Sequence, residues 1–163
     1  MKFLADAMLG KLSRWLRMLG QNVEYNVKLT DNQLLAQAKA EGRVLLTRDF
    51  ELYQRALSRG LEAFYLQGNT ETERLAELSK RFGLPLEIDM DNSHCPRCNA
   101  KLQSTSKDQI REDVETNTFL YYDKFWKCPN CGHVYWQGAH WKQITATLQV
   151  AKENLKKKES SGL

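Results

Sequence analysis

Lys2 to Gly20 reads KFLADAMLGKLSRWLRMLG, and the fold is read outward from it. Phe3-Leu4-Ala5 carries no polar residue and predicts a short, buried strand. Asp6 follows at once. Met8, Leu9, Leu12, Trp15, Leu16 and Leu19 then recur at the spacing of a helix face that packs on a sheet. Gly20 supplies a residue able to close that helix. An acid between a strand and the next helix sits at the edge of an open α/β sheet where ligands bind. Asp6 can serve there as a helix cap or as a metal ligand, and only further acids at the same edge decide between the two.

The rest of the first ninety residues repeats the pattern. Asn22 to Asn26 reads as a strand. Thr30 and Gln33 have the form of a capping box and open a helix that ends at Gly42. Arg43 to Thr47 is the clearest strand, followed by Arg48-Asp49 and a helix over Phe50 to Ser58 with Gly60 beyond it. Leu61 to Leu66 reads as a fourth strand, and Thr70 to Phe82 as a helix closed by Gly83. Alternation of this kind predicts an α/β fold, a parallel sheet with helices on both faces and right-handed crossovers.

Near residue 90 the composition changes. Four cysteines, absent until then, appear as Cys95-Pro96-Arg97-Cys98 and Cys128-Pro129-Asn130-Cys131, with 29 residues between the pairs. Two such knuckles are what a tetrahedral Cys-four zinc ribbon requires, and a closed set of four thiolates makes the site structural. A disulfide reading conflicts with a reducing compartment, a redox motif is normally single, and His133 is a weaker ligand candidate. The expected division is 1–90 for the α/β domain, 91–142 for the zinc ribbon, and 143–163 for a helix with a basic tail. That helix is expected over Gln143 to Lys157, with disorder from Ser160 onward.

Composition sets bounds. An apolar fraction of 42% and a charged fraction of 27% fit a globular chain. No apolar run reaches the length of a membrane span. Asp6 and Lys11 interrupt any signal-peptide pattern, so a cytoplasmic protein is expected. The net charge of +4 is mild, with Lys156-Lys157-Lys158 making the second half the more basic. A phosphate-binding glycine loop is absent. All three histidines, His94, His133 and His140, lie in the second half, which argues against a Ser-His-Asp triad with Ser13 or Thr47.

Asp31 and Asp49 also fall where strands end and helices begin, so both are expected at the edge that Asp6 occupies. If the first and third strands are neighbours, Asp6 and Asp49 can share an ion. Oxygen ligands of this type favour magnesium or manganese, whereas as caps the three acids would be independent. Lys11, Arg14 and Arg17 lie on the polar side of the first helix, and Arg48 precedes Asp49. Such a row is either a solvated face or a hold on a polyanion's phosphates.

FLAD with MLGKLSRWLRMLG, LTDNQLLAQAKAEGRVLLTRD, and FWKCPNCGHVYWQGAHW together resemble the Mut-seven C-terminal ribonuclease domain family, from Lys2 to about Trp141. The resemblance implies a PIN-like nuclease fold fused to a zinc ribbon, RNA as substrate, and Asp6, Asp31 and Asp49 as the acidic positions. A fourth acid, common in PIN nucleases, has no assigned counterpart here, Glu51 being either a further ligand or a solvated first-turn acid. The implied function is a magnesium- or manganese-dependent ribonuclease acting on structured or ribosome-associated RNA, with the ribosome or a ribosomal precursor as a further partner. In the ribbon, Arg97, Lys101, Lys124 and Lys127 with exposed aromatics such as Tyr135 or Trp136 would hold the strand. Most of those aromatics, however, are expected to pack the small module, which has little else to pack with. The alternatives are a non-catalytic RNA- or ribosome-binding protein and a PIN-like toxin.

Overall fold

A computed structural model describes residues 1–161. Its first half holds four short strands, β1 (Lys2–Ala5), β2 (Asn22–Tyr25), β3 (Val44–Thr47) and β4 (Ala63–Tyr65), interleaved with α1 (Gly10–Met18), α2 (Asp31–Glu41), α3 (Phe50–Ser58) and α4 (Glu71–Phe82). The strands form one sheet in the order β2-β1-β3-β4, and every pair is parallel.

Alternation along each strand sends side chains to two cores. Phe3, Ala5, Val44 and Leu46 face α1 and α4, whereas Leu4 and Leu45 face Leu34, Leu35 and Ala38 of α2 and Leu52 and Ala56 of α3. The chain therefore steps from β1 to β2 across one face, then back past β1 to β3 across the other. Reversing both direction and face keeps one hand of crossover throughout, as the handedness rule requires. The reversal places the sheet's switch point between β1 and β3.

Local signals formed as the sequence suggests, with three adjustments. The Thr30–Gln33 capping box is complete, and Gly20, Gly42, Gly60 and Gly83 all have positive φ after their helices. The first helix, however, opens with a 3-10 turn over Ala7–Leu9. That tighter winding turns Met8 off the packing stripe, and Met8 is 70% exposed instead of buried. Gly10 follows because the Tyr25 ring crosses there: a Cβ would lie 2.9 Å from the Tyr25 hydroxyl, which donates to Ala7 O. Arg43 stands outside β3, where its buried guanidinium donates to Phe3 O and Asn22 Oδ1.

The second half has a three-stranded antiparallel sheet of β5 (Gln103–Thr105), β6 (Phe125–Lys127) and β7 (Val134–Tyr135), with a short α5 (Thr116–Tyr121) before β6. The last helix, α6 (Trp141–Ser161), returns to the first sheet. It packs along α4, and its Leu148 and Ala151 are buried in the same core as Phe3 and Val44. Ser160 is still helical, and the remainder expected to be disordered, Gly162 and Leu163, lies outside the described residues. No helix among the described residues is long and apolar enough to cross a membrane.

The cysteine knuckle docks on β2, an edge strand. Val23 N–H donates to Asn99 Oδ1 at 2.8 Å, and Val23 C=O accepts from Arg17 Nε at 2.9 Å. Asn99 also donates to Asn22 Oδ1 and Glu24 Oε1. It is the one non-glycine residue with positive φ among those described, at 74°, a conformation asparagine tolerates better than most. Asn99→Ala should therefore combine backbone strain with an orphaned Val23 N–H, costing about 2–4 kcal/mol. Asn99→Gly removes only the side-chain bonds and should cost less. Denaturant midpoints separate the two, and equal losses would show that the left-handed backbone carries no strain.

Candidate functional site

Two sites emerge, one at the carboxyl ends of the strands and one at the β2 edge of the first sheet. At the carboxyl ends of β1 and β3, Asp6 N–H donates to Leu46 O, extending the ladder by one residue. Asp6 Oδ1 accepts from Ala7 N–H at 2.6 Å and caps the 3-10 turn. Asp6 Oδ2 accepts from the Thr47 hydroxyl at 2.8 Å, and the same Thr47 oxygen accepts from Asp49 N–H at 2.9 Å. Thr47 is fully buried. Its hydroxyl thus has a single proton, committed to Asp6, and a lone pair committed to Asp49. Asp49 Oδ1 caps α3 through Leu52 N–H at 3.2 Å and remains exposed. Both acids are therefore caps, and one buried threonine ties them together across the switch point. The sequence assigns Thr47 no such role, because a threonine at a strand end carries no signal of what lies on the neighbouring strand.

Asp31 is placed differently. It is the first residue of α2, half exposed, and pairs with Arg55 Nη1 at 3.7 Å; Arg55 also holds Asn32 Oδ1. Among the described residues Asp6, Asp31 and Asp49 do not form a group whose carboxylate oxygens lie within 4.8 Å of one another.

The basic residues divide as well. Lys11 and Arg14 are exposed on α1, and Arg48 reaches Asn69 Oδ1 at 3.4 Å. Arg17 does not extend their row. It is buried, its Nη1 donates to Pro96 O at 2.9 Å, and its carbonyl accepts from His94 N–H. Burial lowers its pKa from the ordinary value, opposed by Glu24 and by Cys95 and Cys98. The helical period placed Arg17 with Lys11 and Arg14; the knuckle covering that flank of α1 removed it from solvent.

At the β2 edge, the Sγ atoms of Cys95, Cys98, Cys128 and Cys131 all lie within 4.8 Å of one another, with Cys95 to Cys131 at 3.7 Å and Cys98 to Cys128 at 3.3 Å. Thiolates about 2.3 Å from a tetrahedral zinc ion have sulfur–sulfur edges of about 3.8 Å, so the cluster could hold a metal such as zinc. Burial opposes ionisation of Cys98, yet hydrogen bonds from Asn130, the Ala100 backbone and Cys128 bring its pKa down to about 6. Cys128 moves oppositely, to about 12, through burial and its bond to Cys98. The Tyr135 hydroxyl contacts Cys95 Sγ at 3.1 Å, and burial followed by that contact pushes its pKa up, so it stays a donor. Tyr135 and Trp136 are half-buried, each packed against one of the two small cores of the second half. His133 lies outside the thiol cluster, its Nδ1 3.0 Å from Arg97 Nη1.

Against this geometry stands one match to a known family. The family model described as the Mut7-C RNAse domain matches residues 1–148. The chain belongs to the Mut7-C RNAse domain family. The matched span takes in the acidic end of the sheet, all four cysteines and the start of the returning α6. The family's name points to ribonuclease activity with RNA as substrate. Comparison with curated proteins and with solved structures gives no match.

Two outcomes follow from the geometry. Thr47→Val keeps the shape but orphans one buried bond to each acid, so unfolding free energy should fall by about 1–3 kcal/mol; an unchanged denaturant midpoint would mean the hydroxyl bridges nothing. Cobalt(II) added to the reduced protein should give the intense absorption of a tetrahedral thiolate site, with Cys128→Ser weakening binding. Absence of that absorption would exclude a four-thiolate site.

Proposed function

We propose that this protein is a ribonuclease that hydrolyses phosphodiester bonds with a magnesium or manganese ion held at the carboxyl ends of β1 and β3. The reading rests on Thr47, whose hydroxyl ties Asp6 to Asp49 at the switch point of a chain in a ribonuclease family. The donor set fits a single ion better than a three-acid cage. Magnesium commonly keeps several waters and takes one or two carboxylates, and Asp6 and Asp49 supply two. Asp31 can join them only by leaving Arg55, a half-exposed pair of little worth.

In this reading such an ion, when bound, supplies an activated water and offsets charge on the scissile phosphate. Asp6 and Asp49 hold the ion, Thr47 fixes the orientation of Asp6, and Lys11, Arg14 and Arg48 attract the phosphate chain. The α/β part up to residue 90 carries the chemistry, and residues 91–142 form a structural zinc ribbon. Four thiolates around zinc would leave net negative charge, which the buried guanidinium of Arg17 is placed to balance. Free thiols suit a cytoplasmic setting. Structured or ribosome-associated RNA remains the proposed substrate class.

One observation favours a second reading, a non-catalytic RNA-binding protein: Asp31 is engaged with Arg55 and not gathered with the other acids. A cleavage assay on mixed RNAs, with and without magnesium or manganese, separates the two. Asp6→Asn and Asp49→Asn should abolish cleavage with the fold retained, while Thr47→Val should reduce it about 10–100-fold, the effect of losing an outer partner of a metal ligand. In buffer free of divalent cations Asp49→Asn should melt no lower than the parent, because asparagine caps as well as aspartate. Magnesium should then raise the melting temperature of the parent alone. Cleavage that survives both substitutions would remove the metal reading.

A further inference from the structure

Phe50 follows Asp49 directly and opens α3, yet its ring joins neither core of the α/β sheet and is 53% exposed. A single exposed ring is ordinary, but Phe50 is one of three. Tyr65, at the end of β4, meets it edge-on with ring centroids 5.4 Å apart. Tyr53, one turn along α3, lies 6.0 Å from Phe50 and 5.9 Å from Tyr65, tilted to both. Both tyrosines are half-buried and so anchored, which leaves Phe50 as the open member.

The position of the triad matters as much as its composition. Tyr65 is the register partner of Thr47, the residue that ties Asp6 to Asp49. The rings therefore begin one strand away from the acidic pair. Arg48, between Thr47 and Asp49, extends to Asn69 just beyond β4, so a cation spans the same two strand ends. Aromatic faces beside a cation suit a partner that is anionic along its length and planar in its side groups. A single-stranded nucleic acid has both properties, and alternating charge and stacking is how such strands are held. A duplex keeps its base faces inside its own stack and offers only phosphates.

We propose that Phe50, Tyr53 and Tyr65 form a stacking platform for an unpaired nucleobase next to the bond being cleaved. This rests on the ribonuclease reading and narrows the substrate to RNA with an unpaired nucleotide at the site, in a free strand or in the loop of a structured RNA. Tyr65 and Tyr53 set the tilt of the platform, and Phe50 supplies the accessible face.

The test is an anisotropy titration with labelled single-stranded oligoadenylate and with duplex RNA of equal length, in buffer free of divalent cations to prevent cleavage. The parent, Phe50→Ala and Phe50→Trp are compared, with melting curves to verify folding. Loss of one stacked base should weaken single-strand binding of Phe50→Ala about 5- to 150-fold. Duplex binding should not change, and Phe50→Trp should bind the single strand at least as well as the parent. An oligonucleotide containing 2-aminopurine should be quenched by the parent and less so by Phe50→Ala. If the parent binds and cleaves RNA but Phe50→Ala binds single strands equally well, the platform is wrong and the ribonuclease reading stands. If the parent neither binds nor cleaves any RNA, both fall. If Phe50→Ala instead abolishes a parent dimer in sedimentation while RNA affinity is unchanged, the rings are a self-association surface and the platform is again wrong.

Discussion

The backbone of Val23 is the point on which the two halves of this protein meet. β2 is an edge strand, and an open edge of unpaired donors and acceptors invites pairing with other chains. Here the edge is closed by side chains: Asn99 Oδ1 accepts from the Val23 N–H, and Arg17 Nε donates a hydrogen bond to the Val23 carbonyl. Asn99 lies one residue beyond Cys98, and Arg17 also bonds Pro96, so the cysteine knuckle and the edge of the sheet share the same hydrogen bonds. A buried guanidinium is costly unless its donors are met. Meeting them from both halves makes each half a condition for the other. α6 completes the coupling by returning from the ribbon to bury Leu148 and Ala151 against α4 and the sheet.

The docking uses one edge of the sheet, and the two capping aspartates lie elsewhere, at the carboxyl ends of β1 and β3. The order β2-β1-β3-β4 brings two strand ends together whose following segments leave in different ways: a 3-10 turn after β1 and a helix after β3. Each must cap its first turn, and each uses an aspartate. Capping uses one oxygen of each carboxylate; the second oxygen of Asp6 takes the Thr47 hydroxyl, whereas Asp49 caps α3 through Oδ1. Thr47 makes them one unit, since a buried hydroxyl must satisfy both its proton and a lone pair.

The burial of Arg17 and the exposure of Met8 show how far periodicity carries. Spacing puts Met8 on the apolar stripe of the first helix and Arg17 on its polar side. Met8 left the stripe because a 3-10 turn winds differently from an α-helix, and Arg17 left the polar side because a segment about 80 residues away in the chain covered it. Tyr135 and Trp136 differ from these two: a small module has few side chains to pack, so their packing is legible in the sequence. Phe50 is left half in solvent, and its position beside Asp49 says nothing of itself until β4 brings Tyr65 across.

The sequence by itself determined the order of strands and helices, their parallel class, the capping box at Thr30, the positions of Asp6 and Asp49 at strand ends, and the metal-type spacing of the four cysteines. These are local properties, set by periodicity, turn chemistry and ligand spacing over a few residues. Only the tertiary structure decided that Thr47 joins Asp6 to Asp49, that Asp31 pairs with Arg55, that Arg17 is interior, and that α6 belongs to the first core. Each depends on a contact between residues distant in the chain, and which contact forms is chosen by packing of whole elements, a quantity no short stretch of sequence contains.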